Sequence, residues 1–294
     1  MIVDPVTGEY ILDAHTRDAR PNEFRNGPDA RCAFCPGNEE LTPPEIERTE
    51  SPDGGWSVRV FSNKYPAVVP PEGVHEVIVD APDHGREVSA TAWAMWRRRY
   101  ETAVRAHPHA VPVLFKNRGA YAGATLVHPH TQMIVLDRIP ERWERMRATE
   151  GGCRWCADLT AARSAGTIVA ENAEAVAYVR TSSRFSWSLT VLPRACEPSV
   201  DRAGRAPWTG VGVLVAAAAE GLLERWSREA AFNVVLPSDP SAAPGRFHWH
   251  AEVIPRLATL AGFELATGLF IRSAPAEESA ERWRQLIALP HGSV

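Results

Sequence analysis

Cys32-Ala33-Phe34-Cys35 recurs as Cys153-Arg154-Trp155-Cys156, and His128-Pro129-His130 recurs as His248-Trp249-His250. The two offsets, 121 and 120 residues, agree to within one position. So long a period marks two copies of a domain-sized unit, unlike the short repeats of solenoids. Between the markers the order of elements also repeats. His75-Glu76-Val77-Ile78-Val79-Asp80-Ala81-Pro82-Asp83-His84 lies 112 residues before Trp187-Ser188-Leu189-Thr190-Val191-Leu192-Pro193-Arg194-Ala195-Cys196, and both read as a strand running into a turn. His84 therefore corresponds to Cys196. A helix follows in each copy, with Trp93, Trp96, Tyr100 and Val104 on one face of the first. In the second, Trp208, Val211, Val215, Ala219, Leu222 and Trp226 share a face. Apolar runs at 111–115, 133–136 and 232–236 predict strands, and 276–288 predicts a terminal helix with Ala280, Trp283 and Ile287 inward. Few strand-helix-strand crossovers of the doubly wound kind are visible. The expected fold class is α+β, with two fused halves, residues 1–148 and 149–294, each mostly antiparallel sheet with packed helices.

With 294 residues, 45% of them hydrophobic and 23% charged, the chain is long enough for one large or two ordinary cores. Thirty-six acidic against 32 basic residues leave a net charge of -4, which provides no electrostatic footprint for a nucleic acid. The most apolar run, 211–219, is shorter than the roughly 20 residues a membrane span needs. Met1-Ile2-Val3-Asp4-Pro5 lacks the basic and apolar regions of a signal peptide, so a cytoplasmic location without a membrane partner is expected. In a reducing compartment the five cysteines read as thiolates. The Walker phosphate loop, the Gly-x-Gly-x-x-Gly dinucleotide fingerprint and the Gly-x-Ser-x-Gly nucleophile elbow are all missing.

A single Cys-x-x-Cys is compatible with a redox pair, half a metal site or two core cysteines. Two copies at corresponding positions favour metal, because each half then supplies four soft or imidazole ligands. These are Cys32, Cys35, His84 and His128 in the first half, and Cys153, Cys156, Cys196 and His248 in the second. A redox pair leaves unexplained why the fifth cysteine occupies the place of His84. Neither set keeps an open position, so the expected metals are structural zinc ions, the second of them depending on Cys196.

Lys116-Asn117-Arg118-Gly119-Ala120-Tyr121-Ala122-Gly123-Ala124-Thr125 precedes His128-Pro129-His130-Thr131-Gln132. Small residues let backbone amides approach a phosphate, and strand alternation points His128 and His130 to one face. A neutral imidazole held in one tautomer is a competent nucleophile at phosphorus, and a neighbouring amide such as Gln132 can donate to phosphoryl oxygens as charge develops. His107-Pro108-His109 repeats the tripeptide at a helix end without the glutamine and reads as a solvated connection. In the second half, His250 and Glu252 replace the His130 and Gln132 pattern, and His250 reads as a structural histidine. His15, His75 and His291 belong to no constellation and read as ordinary surface or sheet residues.

Further residues fall into one pattern. It runs from Asp4-Pro5-Val6-Thr7-Gly8-Glu9-Tyr10-Ile11-Leu12, with Arg17 and Arg20-Pro21, through Cys35-Pro36-Gly37-Asn38 and Val60-Phe61-Ser62-Asn63-Lys64-Tyr65-Pro66-Ala67. It continues through Pro82-Asp83-His84 and Asn117 to Gln132, and ends with His248-Trp249-His250-Ala251-Glu252-Val253-Ile254-Pro255-Arg256 and Ala261-Gly262-Phe263-Glu264. In these stretches the chain resembles the galactose-1-phosphate uridylyltransferases, the transferase branch of the histidine triad superfamily. The resemblance implies two histidine-triad-like halves, commonly in a homodimer, acting by a ping-pong route. By it His130 attacks the α-phosphorus of a nucleotide sugar such as UDP-glucose, releases sugar 1-phosphate and carries the nucleotide to a second sugar 1-phosphate. Gln132 and Thr125 match phosphate-contacting positions, and Asn63 and Asn117 match nucleotide-site positions. Arg17 and Arg20 match arginines near the phosphates or the partner sugar, and Phe263-Glu264 matches an aromatic-Glu pair that receives sugar hydroxyls. The sequence departs from the pattern at Cys196, where relatives with a second metal usually have histidine, and at Glu252, where some bacterial members have a histidine ligand. The Cys153–Cys156 pair and Thr131 also look like those of ADP-glucose phosphorylases. The expected activity is therefore UDP-glucose:hexose-1-phosphate uridylyl transfer. The alternatives are a phosphorylase-type relative passing AMP to phosphate, and a silent nucleotide-sugar-binding protein.

Overall fold

Runs of β-branched and aromatic residues, broken by Gly, Pro, Asn and Asp, make short strands throughout the chain. The computed structural model describes residues 1–26, 31–85, 87–148, 150–226 and 230–287. Two compact units emerge, one from Met1–Phe115 with Thr125–Ile139, the other from Lys116–Ala124 with Pro140–Val294.

The first unit begins with a two-stranded ribbon, β1 (Ile2–Val3) and β2 (Tyr10–Ile11), followed by α1 (Glu23–Asn26). Its sheet is built from β3 (Glu45–Ser51), β4 (Gly55–Ser62), β5 (Gly73–Val79), β6 (Val111–Arg118) and β7 (His130–Leu136), in the order β3-β4-β5-β7-β6. The β3/β4, β4/β5 and β5/β7 pairs are antiparallel. Between β5 and β6 lies α2 (Ala90–Ala106), started by the Ser89 hydroxyl, which accepts from Ala92 N–H at 3.0 Å. Trp93, Trp96 and Tyr100 are buried as their spacing predicts, with Ala103 rather than Val104 completing the stripe.

The second unit contains α3 (Glu141–Met146), α4 (Arg154–Ser164), β8 (Ile168–Glu171), β9 (Ala175–Val179), β10 (Leu189–Pro193), α5 (Arg205–Trp226), β11 (Phe232–Leu236), β12 (Ala251–Pro255), α6 (Gly262–Thr267) and α7 (Ala276–Leu286). Its strands run β8-β9-β10-β12-β11, again antiparallel. Each unit thus places its last strand next to its third, with its longest helix inserted between the third and fourth in sequence. The two units share this order of strands, and the class is α+β as expected. β9, β10 and β12 are buried at every position, which explains their unbroken apolar runs.

Helix α5 is long and apolar enough, by composition, to cross a membrane, so the apolar segment extends beyond 211–219. Trp208, Val211, Leu214, Val215, Ala219 and Leu222 are buried in the protein, and the helix packs on β9, β10 and β12, which accounts for that composition. Helix α7 packs against α5 and ends at Leu286. Ile287 is buried just beyond it, while Ala288 and His291 lie outside the described residues. The close approach of the two helices requires a glycine, since a Cβ on Gly221 would stand 2.5 Å from Leu286 O and 3.0 Å from its carbonyl carbon. Gly221→Val should therefore lower unfolding free energy by about 2 kcal/mol, read as a lower urea midpoint. An unchanged midpoint would mean that this contact does not constrain the packing.

Candidate functional site

The Cys32–Cys35 segment is a tight turn in which Cys35 N–H donates to Cys32 O at 3.2 Å and Asn38 Nδ2 donates to the same oxygen at 2.9 Å. The turn presents both sulfurs to His84 and His128. The four ligand atoms lie within 4.8 Å of one another. Cys35 Sγ stands 3.2 Å from His84 Nε2, and His128 Nδ1 stands 3.6 and 3.7 Å from Cys32 and Cys35 Sγ. Sulfur at ~2.3 Å and nitrogen at ~2.0 Å from one tetrahedral ion would be ~3.5 Å apart, so the spacing fits zinc. The donor chemistry fits as well. Burial pushes the Cys32 thiol up to about 11, so a cation is needed to hold it as thiolate. His128 Nε2 lies 2.8 Å from Ala81 O and donates to it, making Nδ1 the basic nitrogen that faces the sulfurs.

One step further along the strand, His130 Nδ1 lies 2.8 Å from His128 O. A carbonyl only accepts, so the ring proton sits on Nδ1 and Nε2 becomes the basic nitrogen. Phe34, from inside the Cys-x-x-Cys turn, meets the His130 ring edge-on with centroids 5.4 Å apart. Thr131 points to the opposite face of the sheet, where its hydroxyl donates to Asp80 Oδ2 at 2.8 Å. Trp96 Nε1 donates to the other Asp80 oxygen at 2.7 Å. This buried anchor ties α2 to the β5/β7 end and sets the register in which His130 opposes Val79.

His130 and Gln132 share one face of β7 and line a cavity of about 260 Å³ with Arg20, Asn63 and Thr125. Burial lowers the pKa of both Arg17 and Arg20, and in Arg17 the neighbouring Arg20 adds to it. Two half-buried cations placed together favour a bound anion. Arg17 Nη1 also donates to Tyr65 O at 3.0 Å, which fixes the chain that leads into Asn63. His75 reads as an ordinary sheet residue in the sequence, but it lies buried behind Gln132, with Nε2 3.0 Å from Gln132 Oε1. The signal available for it was strand alternation, which puts a polar ring on the same face as Val77 and Val79.

In the second unit Cys153, Cys156, Cys196 and His248 also converge within 4.8 Å, with Cys156 Sγ 3.6 Å from His248 Nδ1. Here Cys153 occupies the N-cap position of α4, without a side-chain capping bond. Cys196 donates to Cys153, which lowers the Cys153 thiol to about 3 and raises that of Cys196. His250 repeats the backbone bond of His130, its Nδ1 lying 2.9 Å from His248 O. Its surroundings differ. Trp155, at the position of Phe34, lies 3.8 Å from the His250 ring between centroids, and the ring is fully buried. Glu252, at the position of Gln132, takes both its hydrogen bonds from Arg142 Nη2 at 3.0 and 3.1 Å. Burial favours its protonated form, but His250, Arg142 and Arg184 outweigh it and hold the carboxyl at about 2.

No protein-family model matches the chain. It is 24% identical to ADP-glucose phosphorylase of Arabidopsis thaliana across 96% of this chain and 92% of that protein. It is 23% identical to galactose-1-phosphate uridylyltransferase of Thermotoga maritima across 96% of both. A crystal structure of the Arabidopsis ADP-glucose phosphorylase with bound ADP-glucose superposes with a TM-score of 0.75 at 22% identity, covering 97% of this chain and 98% of that one. The chain is similar to these enzymes over 96% of its residues and has their fold.

The remaining residues expected at the site lie in the second unit and do not line the cavity. Asn117, on β6, accepts from Asn233 Nδ2 at 2.8 Å, and that same amide also donates to Ala122 O, so Asn233 ties β6 to the loop that follows it. Phe263 is half exposed on α6, and Glu264 caps that helix by accepting from Ala261 N–H at 3.1 Å. For the two clusters, the expectation is two zinc ions per chain by plasma emission, with one lost in Cys32→Ser and the other in Cys153→Ser. Unchanged metal in both variants would contradict the assignment.

Proposed function

We propose that the chain moves a nucleoside monophosphate between a nucleotide sugar and a sugar 1-phosphate through a covalent nucleotidyl-histidine on His130. The observation that carries this reading is the His130 Nδ1–H bond to the His128 carbonyl, which makes Nε2 the nucleophilic nitrogen of a ring lining a cavity beside Arg20 and Gln132. In the proposed step Nε2 attacks the α-phosphorus, the bond from that phosphorus to the bridging oxygen breaks, and sugar 1-phosphate leaves with the electron pair. Arg20 and the Gln132 amide compensate charge on the phosphoryl oxygens, and Thr125 contacts the phosphates. A phosphate oxygen of the acceptor then displaces the imidazole. Zinc at Cys32, Cys35, His84 and His128 would serve structurally, by holding His128 and hence the carbonyl that orients His130, and zinc at Cys153, Cys156, Cys196 and His248 would brace the second half.

The likeness to galactose-1-phosphate uridylyltransferase supports UDP-glucose as donor and hexose 1-phosphate as acceptor. A second reading, adenylyl transfer from ADP-glucose to phosphate, is favoured by the likeness to ADP-glucose phosphorylase and by the paired cysteines of the second half. We place the enzyme in the cytoplasm and as a homodimer. Leu257, Leu260, Phe263, Leu265, Leu269 and Ile271 are exposed within one short segment of the second unit, an apolar surface that suits a second copy.

Intact mass after incubation with UDP-glucose or ADP-glucose, without acceptor, separates the readings. A UMP adduct absent in His130→Ala supports uridylyl transfer, and an AMP adduct supports the phosphorylase. No adduct with either donor would leave a silent binding protein.

A further inference from the structure

His75 lies on β5 with only 3% of its surface exposed, among groups whose donor and acceptor roles are fixed. Ala67 N–H points at its Nδ1 at 2.9 Å. A backbone amide can only donate, so Nδ1 accepts and the ring proton is on Nε2. That proton meets Gln132 Oε1 at 3.0 Å. Asn63 Nδ2 stands between the two, 3.1 Å from His75 Nε2 and 3.5 Å from the same Gln132 oxygen, and the orientation of Asn63 is set in turn by Tyr65 N–H, which donates to Asn63 Oδ1 at 2.8 Å, so this NH₂ group can donate only to the oxygen. Two donors therefore converge on the carbonyl oxygen of Gln132. Flipping this amide would set its NH₂ group against both, so the observed flip is enforced and the NH₂ end is the one available to the cavity.

Burial, assisted by the charges of Arg17 and Arg20, keeps the His75 ring neutral, with its pKa lowered to about 4. The ring holds a single proton at neutral pH, and Ala67 dictates which nitrogen carries it.

We propose that His75 is a positioning residue that fixes the Gln132 carboxamide, so that its N–H rather than its carbonyl faces the phosphoryl group carried by His130. The inference rests on the nucleotidyl-histidine reading for the identity of the group that Gln132 meets. The chain of control runs from the Ala67 backbone through His75 to Gln132. Preorganised donors of this kind lose much of their effect when free to turn, because an amide oxygen facing a phosphoryl oxygen is repulsive.

Two readouts test it. The first needs no turnover. In ligand-free wild-type protein the Gln132 side-chain NH₂ should give two resolved, slowly exchanging proton signals by ¹H–¹⁵N NMR, and in His75→Phe these should shift and broaden. The second is single-turnover adduct formation at saturating donor. His75→Phe should slow it by about 100-fold, the usual cost of one lost donor at a developing oxyanion, with little change in donor affinity. His75→Gln, whose amide N–H can reach the former Nε2 position, should recover most of the rate and of the NMR pattern. In a Gln132→Met background, His75→Phe should cause no further loss. Unmoved Gln132 signals in both His75 variants would overturn the proposal, as would equal additional loss in the Gln132→Met background. If the wild type forms no adduct while the Gln132 signals still move, the nucleotidyl reading fails and the His75–Gln132 coupling stands.

Discussion

In the first unit the backbone carbonyl of His128 accepts the Nδ1 proton of His130 at 2.8 Å, and the chemistry available to the site depends on that bond. A neutral imidazole has one proton and one lone pair, and which nitrogen carries which decides whether the ring can attack phosphorus. Every larger feature bears on the position of this carbonyl. The cysteine turn and His84 hold the other side of the His128 ring, Ala81 O takes its Nε2 proton, and the Thr131–Asp80–Trp96 bonds fix the strand from behind. The four-ligand cluster can thus orient His130 without touching it.

The second unit shows how few side chains distinguish the surroundings of His250 from those of His130. It keeps the strand order, the four-ligand cluster and the His250 backbone bond. Replacing the Phe34 position with Trp155 sets a larger ring against His250, which is fully buried. Replacing the Gln132 position with Glu252 puts a carboxylate, held charged by Arg142, where an anionic phosphoryl group would have to approach. Both changes act against phosphate chemistry, and both are compatible with a well-packed core.

Much of this was legible in the sequence because it was written in spacing. The Cys-x-x-Cys and His-x-His repeats gave the duplication and both ligand sets, and helical periodicity picked out Trp93, Trp96 and Tyr100. What escaped was whatever depends on cross-strand or loop partners. His75 matters only because β5 and β7 pair in one register and the Ala67 amide turns back onto its ring. The stacking of Trp155 on His250 joins residues far apart in the chain. Asn117 and Glu264 carry residue types suited to ligand binding, yet here Asn117 accepts from Asn233, far along the chain, and Glu264 caps its own helix.

The tautomer of His130 tests this account most directly. Long-range ¹H–¹⁵N correlation on ¹⁵N-histidine-labelled, zinc-loaded protein should show a protonated Nδ1 and an unprotonated, pyridine-like Nε2 at neutral pH, with that single state giving way to a mixture when Cys32→Ser removes the first cluster. A ring protonated at Nε2 in the zinc-loaded protein, or a tautomer indifferent to loss of the cluster, would contradict it.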